Sequence, residues 1–179
     1  MTNFDKIYEI AVDNYGLIST KQANNEGVTN AELARFVKQG KLTRRNQGLY
    51  KLVKYVPVKE DIYAEAVMTV GEDAYLYGTA VMALLALGLV NPNKLTIATP
   101  KRVRKKMPPW IELVNRDKKE EVTQILGIPS QNLVEAFKTC KDKIMPDRLE
   151  QAMQDAYNQG YINNDELHIL RNTNDKNSK

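Results

Sequence analysis

One cysteine, one histidine and one tryptophan in 179 residues remove several kinds of chemistry before any motif is read. Cys140 has no second cysteine with which to form an internal disulfide, which fits a reducing cytosol. His168 lies far from Cys140 in sequence, and no cluster of His, Cys and carboxylates has metal-ligand spacing, so neither a Cys/His nucleophile nor a metal centre is expected. The nine glycines fall into no G-x-G-x-x-G or G-x-x-x-x-G-K-S/T pattern, so a ready-made nucleotide cradle is missing and no cofactor is expected. Long apolar runs are also lacking. The longest, Tyr75 to Val90, is interrupted by Gly78 and Gly88 and is too short for a bilayer, and the first residues have neither the basic start nor the apolar core of a signal peptide. The expectation is a soluble, cytoplasmic protein that is not an enzyme and makes no membrane contact.

What remains is a globular composition, 42% hydrophobic and 27% charged, in a 20.4 kDa chain that suits one large domain or two small ones. The net charge of +4 and pI near 9.0 permit nucleic-acid binding without requiring it. Distribution says more than the sum. Residues 1–52 hold eight Lys/Arg against five Asp/Glu, and residues 94–119 hold nine against two. Positive charge is thus concentrated in two blocks, one in each half of the chain.

The first block contains the most informative run, Ser19 to Leu52. Ser19 followed by Gln22, and Thr29 followed by Glu32, both fit the capping box, in which a hydroxyl and a later amide or carboxylate satisfy orphan N–H groups reciprocally. Two boxes ten residues apart leave room for a short helix only, and Gly27 sits in the gap where the chain must turn. Leu33, Phe36 and Val37 then define a buried stripe, with Ala31, Arg35 and Lys38 on the opposite face and Gly40 at the end. Leu42 to Arg45, the turn Asn46-Gln47-Gly48 and Leu49 to Leu52 read as a basic hairpin. Helix, turn, helix and hairpin in this order make a winged helix-turn-helix. Double-stranded DNA is the expected partner. Arg35 and Lys38 are placed as recognition-helix contacts, Asn30 and Ala31 near base edges, Thr20, Lys21 and Gln22 on phosphates, and Arg44, Arg45 and Gln47 on the wing.

The remainder reads as a first helix through Phe4, Ile7, Tyr8 and Ala11, a linker from Val53 to Lys59, and a helix from Glu60 to Val70. Strand candidates follow at Ala74 to Tyr77, Lys94 to Ala98, Trp110 to Val114 and Val122 to Leu126, with helices at Thr79 to Leu87, Ser130 to Lys138, Pro146 to Gln159 and Asp165 to Arg171. The fold class is α+β: a winged helix-turn-helix over residues 1–56, a mixed α/β C-terminal domain over 57–171, and a disordered tail over 172–179. The acidic pairs Glu120/Glu121 and Asp147/Glu150 give no reason to expect catalysis; the second pair suits a helix start. The run Lys101, Arg102, Arg104, Lys105, Lys106 is a second basic surface that either tracks a phosphate backbone or is a solvated loop. No aromatic side chains are interleaved with its cations, which speaks against a stacking platform for single strands.

With these elements in place the chain resembles the AbiEi-type antitoxin family of type IV toxin-antitoxin and abortive-infection systems. The resemblance is carried by Gly16-Leu17-Ile18-Ser19 with Gln22-Ala23, Gly27-Val28, Leu33 to Gly40, Leu42, Gly48-Leu49-Tyr50-Lys51-Leu52, Gly78 to Leu84, Leu87-Gly88-Leu89, Arg148 to Ala152 and Asp155-Ala156. It implies that the winged module represses its own operon by binding inverted repeats in the promoter. It also implies that the C-terminal domain carries the antitoxin activity against a nucleotidyltransferase-like toxin, without requiring a stable complex. The loop at 101–106 matches no family motif. An alternative stays open at this point, in which the helix-turn-helix is a protein-interaction fold and the second domain docks a partner.

Overall fold

The computed structural model describes residues 1–116 and 121–175. The chain divides into two compact units, Met1–Glu72 and Asp73–Lys179.

In the first unit, α1 (Asn3–Val12) starts at a capping box formed by Thr2 and Asp5 and buries Ile7 and Ala11. A short strand, β1 (Leu17–Ser19), leads directly into α2 (Thr20–Asn25), and α3 (Asn30–Lys38) follows after a tight turn. The hairpin of β2 (Leu42–Asn46) and β3 (Leu49–Leu52) joins β1 in an antiparallel sheet of order β1-β3-β2. The core beneath is built from Ile7, Ala11, Ile18, Ala23, Val28, Leu33, Phe36, Leu42 and Leu52. The expected stripe on α3 is therefore the buried one: Leu33 and Phe36 face inward while Ala31, Arg35 and Lys38 are exposed. Strand β1 was not anticipated, because three residues are too few to show a period of two.

The first unit continues to Glu72 rather than ending at residue 56, since α4 (Asp61–Val70) belongs to it. Two ion pairs account for this. Glu65 binds Arg45 of the hairpin, and Asp61 binds Lys51 of β3. A linker and an apolar helix read like the opening of a new domain, but the helix carries acids that complement the wing's cations.

The second unit is a five-stranded mixed sheet of order β6-β5-β4-β8-β7. Its strands are β4 (Tyr75–Leu76), β5 (Leu95–Thr99), β6 (Ile111–Asn115), β7 (Val122–Ile125) and β8 (Ile128–Gln131). β5 and β6 are parallel, as are β4 and β8, while β4 runs antiparallel to β5 and β7 antiparallel to β8. The helices are α5 (Thr79–Leu84), α6 (Leu133–Thr139), α7 (Pro146–Asn158) and α8 (Asn164–Asp175).

Three expectations are corrected here. The helix placed at Ser130 to Lys138 begins only at Leu133, because Asn132 accepts from the N–H groups of both Val134 and Glu135 and caps it. Ser130 and Gln131 are instead the end of β8, and the buried Ser130 hydroxyl donates to the Ile128 carbonyl. The helix placed at Thr79 to Leu87 stops at Leu84, since Ala86 takes a left-handed conformation (φ 53°) before a single 3₁₀ turn at Leu87–Leu89. The tail placed at 172–179 is helical up to Asp175, within α8; its last four residues lie outside the described set.

That 3₁₀ turn packs closely on α7. Gly88 has φ 58°, its N–H donates to Asp155 Oδ2 at 2.9 Å, and a Cβ there would lie 2.7 Å from both the Ala152 Cβ and the Arg148 carbonyl oxygen. Neither obstacle is the end of a flexible side chain. Gly88→Ala is expected to destabilise the protein by about 3 kcal/mol, combining overpacking with an unfavourable φ, as a lowered urea midpoint at unchanged m.

Candidate nucleic-acid interface

The surface that would meet DNA is assembled from local hydrogen bonds. Ser19 Oγ accepts from the Gln22 N–H at 3.1 Å and Gln22 Oε1 accepts from the Ser19 N–H at 2.9 Å. The Thr29 box is equivalent, with Thr29 Oγ1 accepting from the Glu32 N–H at 3.2 Å and Glu32 Oε2 accepting from the Thr29 N–H at 2.9 Å. Glu32 Oε1 also accepts from Asn3 Nδ2 at 2.7 Å, which ties the start of α3 to the start of α1. The Thr20 N–H donates to the Gly48 carbonyl at 2.9 Å, so the first residue of α2 sits against the wing turn. Gly48 takes a positive φ (74°) in the turn between Asn46 and Leu49, a conformation that glycine adopts without steric cost.

The predicted contact residues lie on and around these elements. Asn30, Ala31, Arg35 and Lys38 are all exposed on the outer face of α3. Arg35 is 59% exposed, its guanidinium lies over the Phe36 ring at 5.5 Å, and its Nη2 is 3.7 Å from Glu32 Oε1. Lys38 has no ion pair among the described residues. Gln22 is half-buried with its carbonyl committed to the cap, and Thr20 is half-buried below the wing.

On the wing, Arg44 and Gln47 are exposed, and Arg44 makes no ion pair among the described residues. Arg45 differs. The β2–β3 register slips between Arg44 and Asn46, leaving Arg45 as the extra residue of a bulge, a device that re-aims a side chain. Arg45 turns to Glu65 of α4, with Nε to Oε1 at 2.5 Å and Nη2 to Oε2 at 3.2 Å. The bond to Glu65 raises the guanidinium's pKa further. Lys21 pairs with Glu72 at 2.6 Å, but both side chains are about 60% exposed (63% and 61%), so this contact contributes little and opens readily. Lys51 binds Asp61 at 3.1 Å.

One cation escaped the sequence reading. Lys41 stacks over Phe4 at 4.7 Å and Phe36 at 5.7 Å, beside Arg35. Its signal was a Phe pair brought together only by tertiary packing, 5.2 Å apart and edge to face.

In the second unit Lys101 pairs with Asp73 at 2.8 Å. Arg102, Arg104 and Lys106 are exposed, and Lys105 is half-buried, with burial lowering its pKa. Cys140 is fully buried and its thiol is pushed up to about 12 by burial, so it is not a nucleophile, and His168 is exposed on α8. Among the described residues no group of three or more His, Cys, Asp or Glu is arranged to hold a metal, and no helix is long and apolar enough to cross a membrane.

Residues 5–53 match the family model for "Transcriptional regulator, AbiEi antitoxin". The matched segment runs from within α1 through the helix-turn-helix and the whole hairpin, and stops before α4. Its winged helix-turn-helix and the α+β architecture are as the sequence led us to expect. No curated protein matches the chain. A solved structure, described as "Crystal structure of RV2827C protein from Mycobacterium tuberculosis", superposes with a TM-score of 0.50 at 10% identity, covering 95% of this chain and 71% of that one. The likeness extends the shared fold through both units.

Two outcomes follow from the geometry. Arg45→Gln leaves the nearly buried Glu65 carboxylate without its partner and is expected to cost about 1 kcal/mol, screening included, whereas Arg44→Gln stays within about 0.5 kcal/mol; urea melts of the two variants separate a structural arginine from a free one. The Glu32 carboxylate is held below its ordinary value of 4.5 by the Thr29 backbone N–H and then by Asn3. A depressed pKa stabilises the fold above the unfolded value and loses that contribution as pH falls through the folded one. Glu32→Gln should accordingly flatten the acid limb of a stability profile below about pH 4.5.

Proposed function

We propose that this AbiEi-type protein is a DNA-binding repressor of its own operon and the antitoxin of a type IV system. In this reading the winged unit occupies inverted repeats in the promoter. The second unit opposes a nucleotidyltransferase-like toxin without a lasting complex, and the protein acts in the cytoplasm with no catalytic step of its own. The observation that carries the DNA-binding half is the placement of unpaired cations. Lys38 on α3 and Arg44 on the wing are free of carboxylates among the described residues, while α4 neutralises Arg45 and Lys51. The antitoxin half is supported by the family match over residues 5–53.

On this reading α3 enters the major groove with Asn30 and Ala31 nearest the base edges. Arg35 and Lys38 reach bases or phosphates, Thr20, Lys21 and Gln22 lie toward the backbone, and the wing follows it through Arg44 and Gln47. The exposed Lys21–Glu72 pair exchanges its carboxylate for a phosphate at little cost.

A gel shift on the promoter tests the assignment. Arg35→Ala should lose about 1 to 3 kcal/mol of specific affinity, the magnitude of a bidentate base contact. Lys38→Gln and Arg44→Gln should each weaken binding across all sequences and reduce the salt slope by about one. An affinity insensitive to ionic strength would point instead to protein docking. Sequencing the adjacent gene and co-expressing its product tests the antitoxin half: it should encode a nucleotidyltransferase-like toxin, and growth should be restored without co-purification of the pair.

A further inference from the structure

The second unit holds a cavity of about 360 Å³ where β4 ends and β5 and β6 begin. That volume falls in the lower range of small-molecule sites. Its walls are tied together by one buried amide, Gln131, which is 2% exposed. Gln131 Oε1 accepts from the Gly78 N–H at 2.9 Å, and its Nε2 donates to Thr139 Oγ1 at 3.0 Å. Gly78 lines the cavity from the β4–α5 junction and Thr139 from the end of α6. The wall from β5 is joined to the first through the Tyr77 N–H, which donates to the Thr96 carbonyl at 3.0 Å. Because Thr139 Oγ1 already accepts from Gln131, its own proton is left to donate.

Two cations and one carboxylate share this lining. Lys94 immediately precedes β5, and Lys143 follows α6 in a turn held by its N–H to the Cys140 carbonyl at 2.9 Å. Both lysines are exposed, and neither has an ion pair among the described residues. Glu112 of β6 accepts from Thr96 Oγ1 through Oε2 at 3.3 Å. Its other oxygen remains, and an ionised carboxylate can only accept.

We propose that this cavity binds a small sugar phosphate, with Lys94 and Lys143 on the phosphate and Glu112 and Thr139 on the sugar hydroxyls. A phosphate monoester carries a charge of about −1.5 to −2 near neutral pH. Two lysines against one glutamate leave the lining positive, so its complement is a net anion and not a zwitterion. Lysine suits such a group because its ammonium is a mobile point charge that needs no planar match. Inorganic phosphate alone would leave Glu112 facing a like charge, whereas a sugar hydroxyl donates to it. A nucleotide fits less well. Tyr77 is buried with the Arg116 guanidinium 5.4 Å from its ring centroid, so it offers no free face on which a base could stack.

NMR of the full nitrogen-labelled chain titrated with ribose phosphate tests the site, with ribose, inorganic phosphate, adenosine monophosphate and serine as comparison probes. Ribose phosphate should shift the Gly78 and Thr139 amide signals and bind at least about tenfold more tightly than ribose or inorganic phosphate, the difference that one charge-assisted hydrogen bond makes. Lys94→Gln and Lys143→Gln should each weaken it by about tenfold for the same reason. Glu112→Ala should abolish the preference over inorganic phosphate, a change of selectivity that a merely structural role would not produce. All three side chains are exposed, so the variants keep the fold. No binding of ribose phosphate at millimolar concentration would overturn the proposal. So would tighter binding of adenosine monophosphate or serine, or an affinity that the lysine variants leave unchanged. Every residue of the site belongs to the second unit, so failure of promoter recognition by the winged unit leaves this result standing.

Discussion

Ser19 is the residue on which the geometry of the winged unit depends. It is the last residue of β1, facing Leu49 across the sheet, and at the same time the N-cap of α2, with Gln22 completing the box. Its extended conformation (φ −85°, ψ 155°) serves both roles. Because sheet pairing and cap share one backbone, α2 cannot rotate against the wing without losing one of them. The next residue reinforces this through the Thr20 N–H to the Gly48 carbonyl. The second box, at Thr29, carries the constraint onward to α3 and, through Asn3, to α1. The exposed face made by these elements is thereby fixed by backbone-level bonds that leave its outward side chains uncommitted.

The acids of α4 supply the second level of control. Asp61 and Glu65 take Lys51 and Arg45 out of the pool of available cations, the first on the central strand β3 and the second beside the turn. A wing anchored by a bidentate carboxylate holds its turn in place with less side-chain entropy to lose on binding. The bulge at Arg45 is what makes this arrangement compatible with an exposed Arg44 one residue earlier. Adjacent arginines in sequence thus have opposite destinations, one to the protein and one to solvent.

Most of the winged unit was legible because its signals are local. Caps at Ser19 and Thr29, the Leu33/Phe36 stripe and the Asn46-Gln47-Gly48 turn each declare themselves within four residues. What escaped depends on partners distant in sequence. β1 exists only because β3 pairs with it. The destination of Arg45 is set by a register slip and by an acid twenty residues away, and Lys41 gained its aromatic neighbours only when α1 crossed α3. In the second unit Ser130 preceding an apolar stretch resembled a cap, but β8 completes the sheet between β4 and β7 and shifts the helix start to Asn132. Sheet order, which decides such cases, leaves no local trace.

Net charge is a poor guide to where this protein keeps cations free for a polyanion. The chain as a whole carries only +4. Exposed charges are screened over about 8 Å at physiological ionic strength, so a phosphate responds to the few groups within that reach and hardly to the total. Within such a radius the outcome depends on whether acids share the surface. Around the hairpin they do, and Asp61 and Glu65 select which cations remain. Along residues 100–110 no acid lies in the segment itself, and the nearest pairing, Lys101 with Asp73, involves its first cation. Similar basic content therefore has different consequences in the two units. In the winged unit carboxylates edit the pattern of positive charge, and along residues 100–110 the charge is left largely unedited.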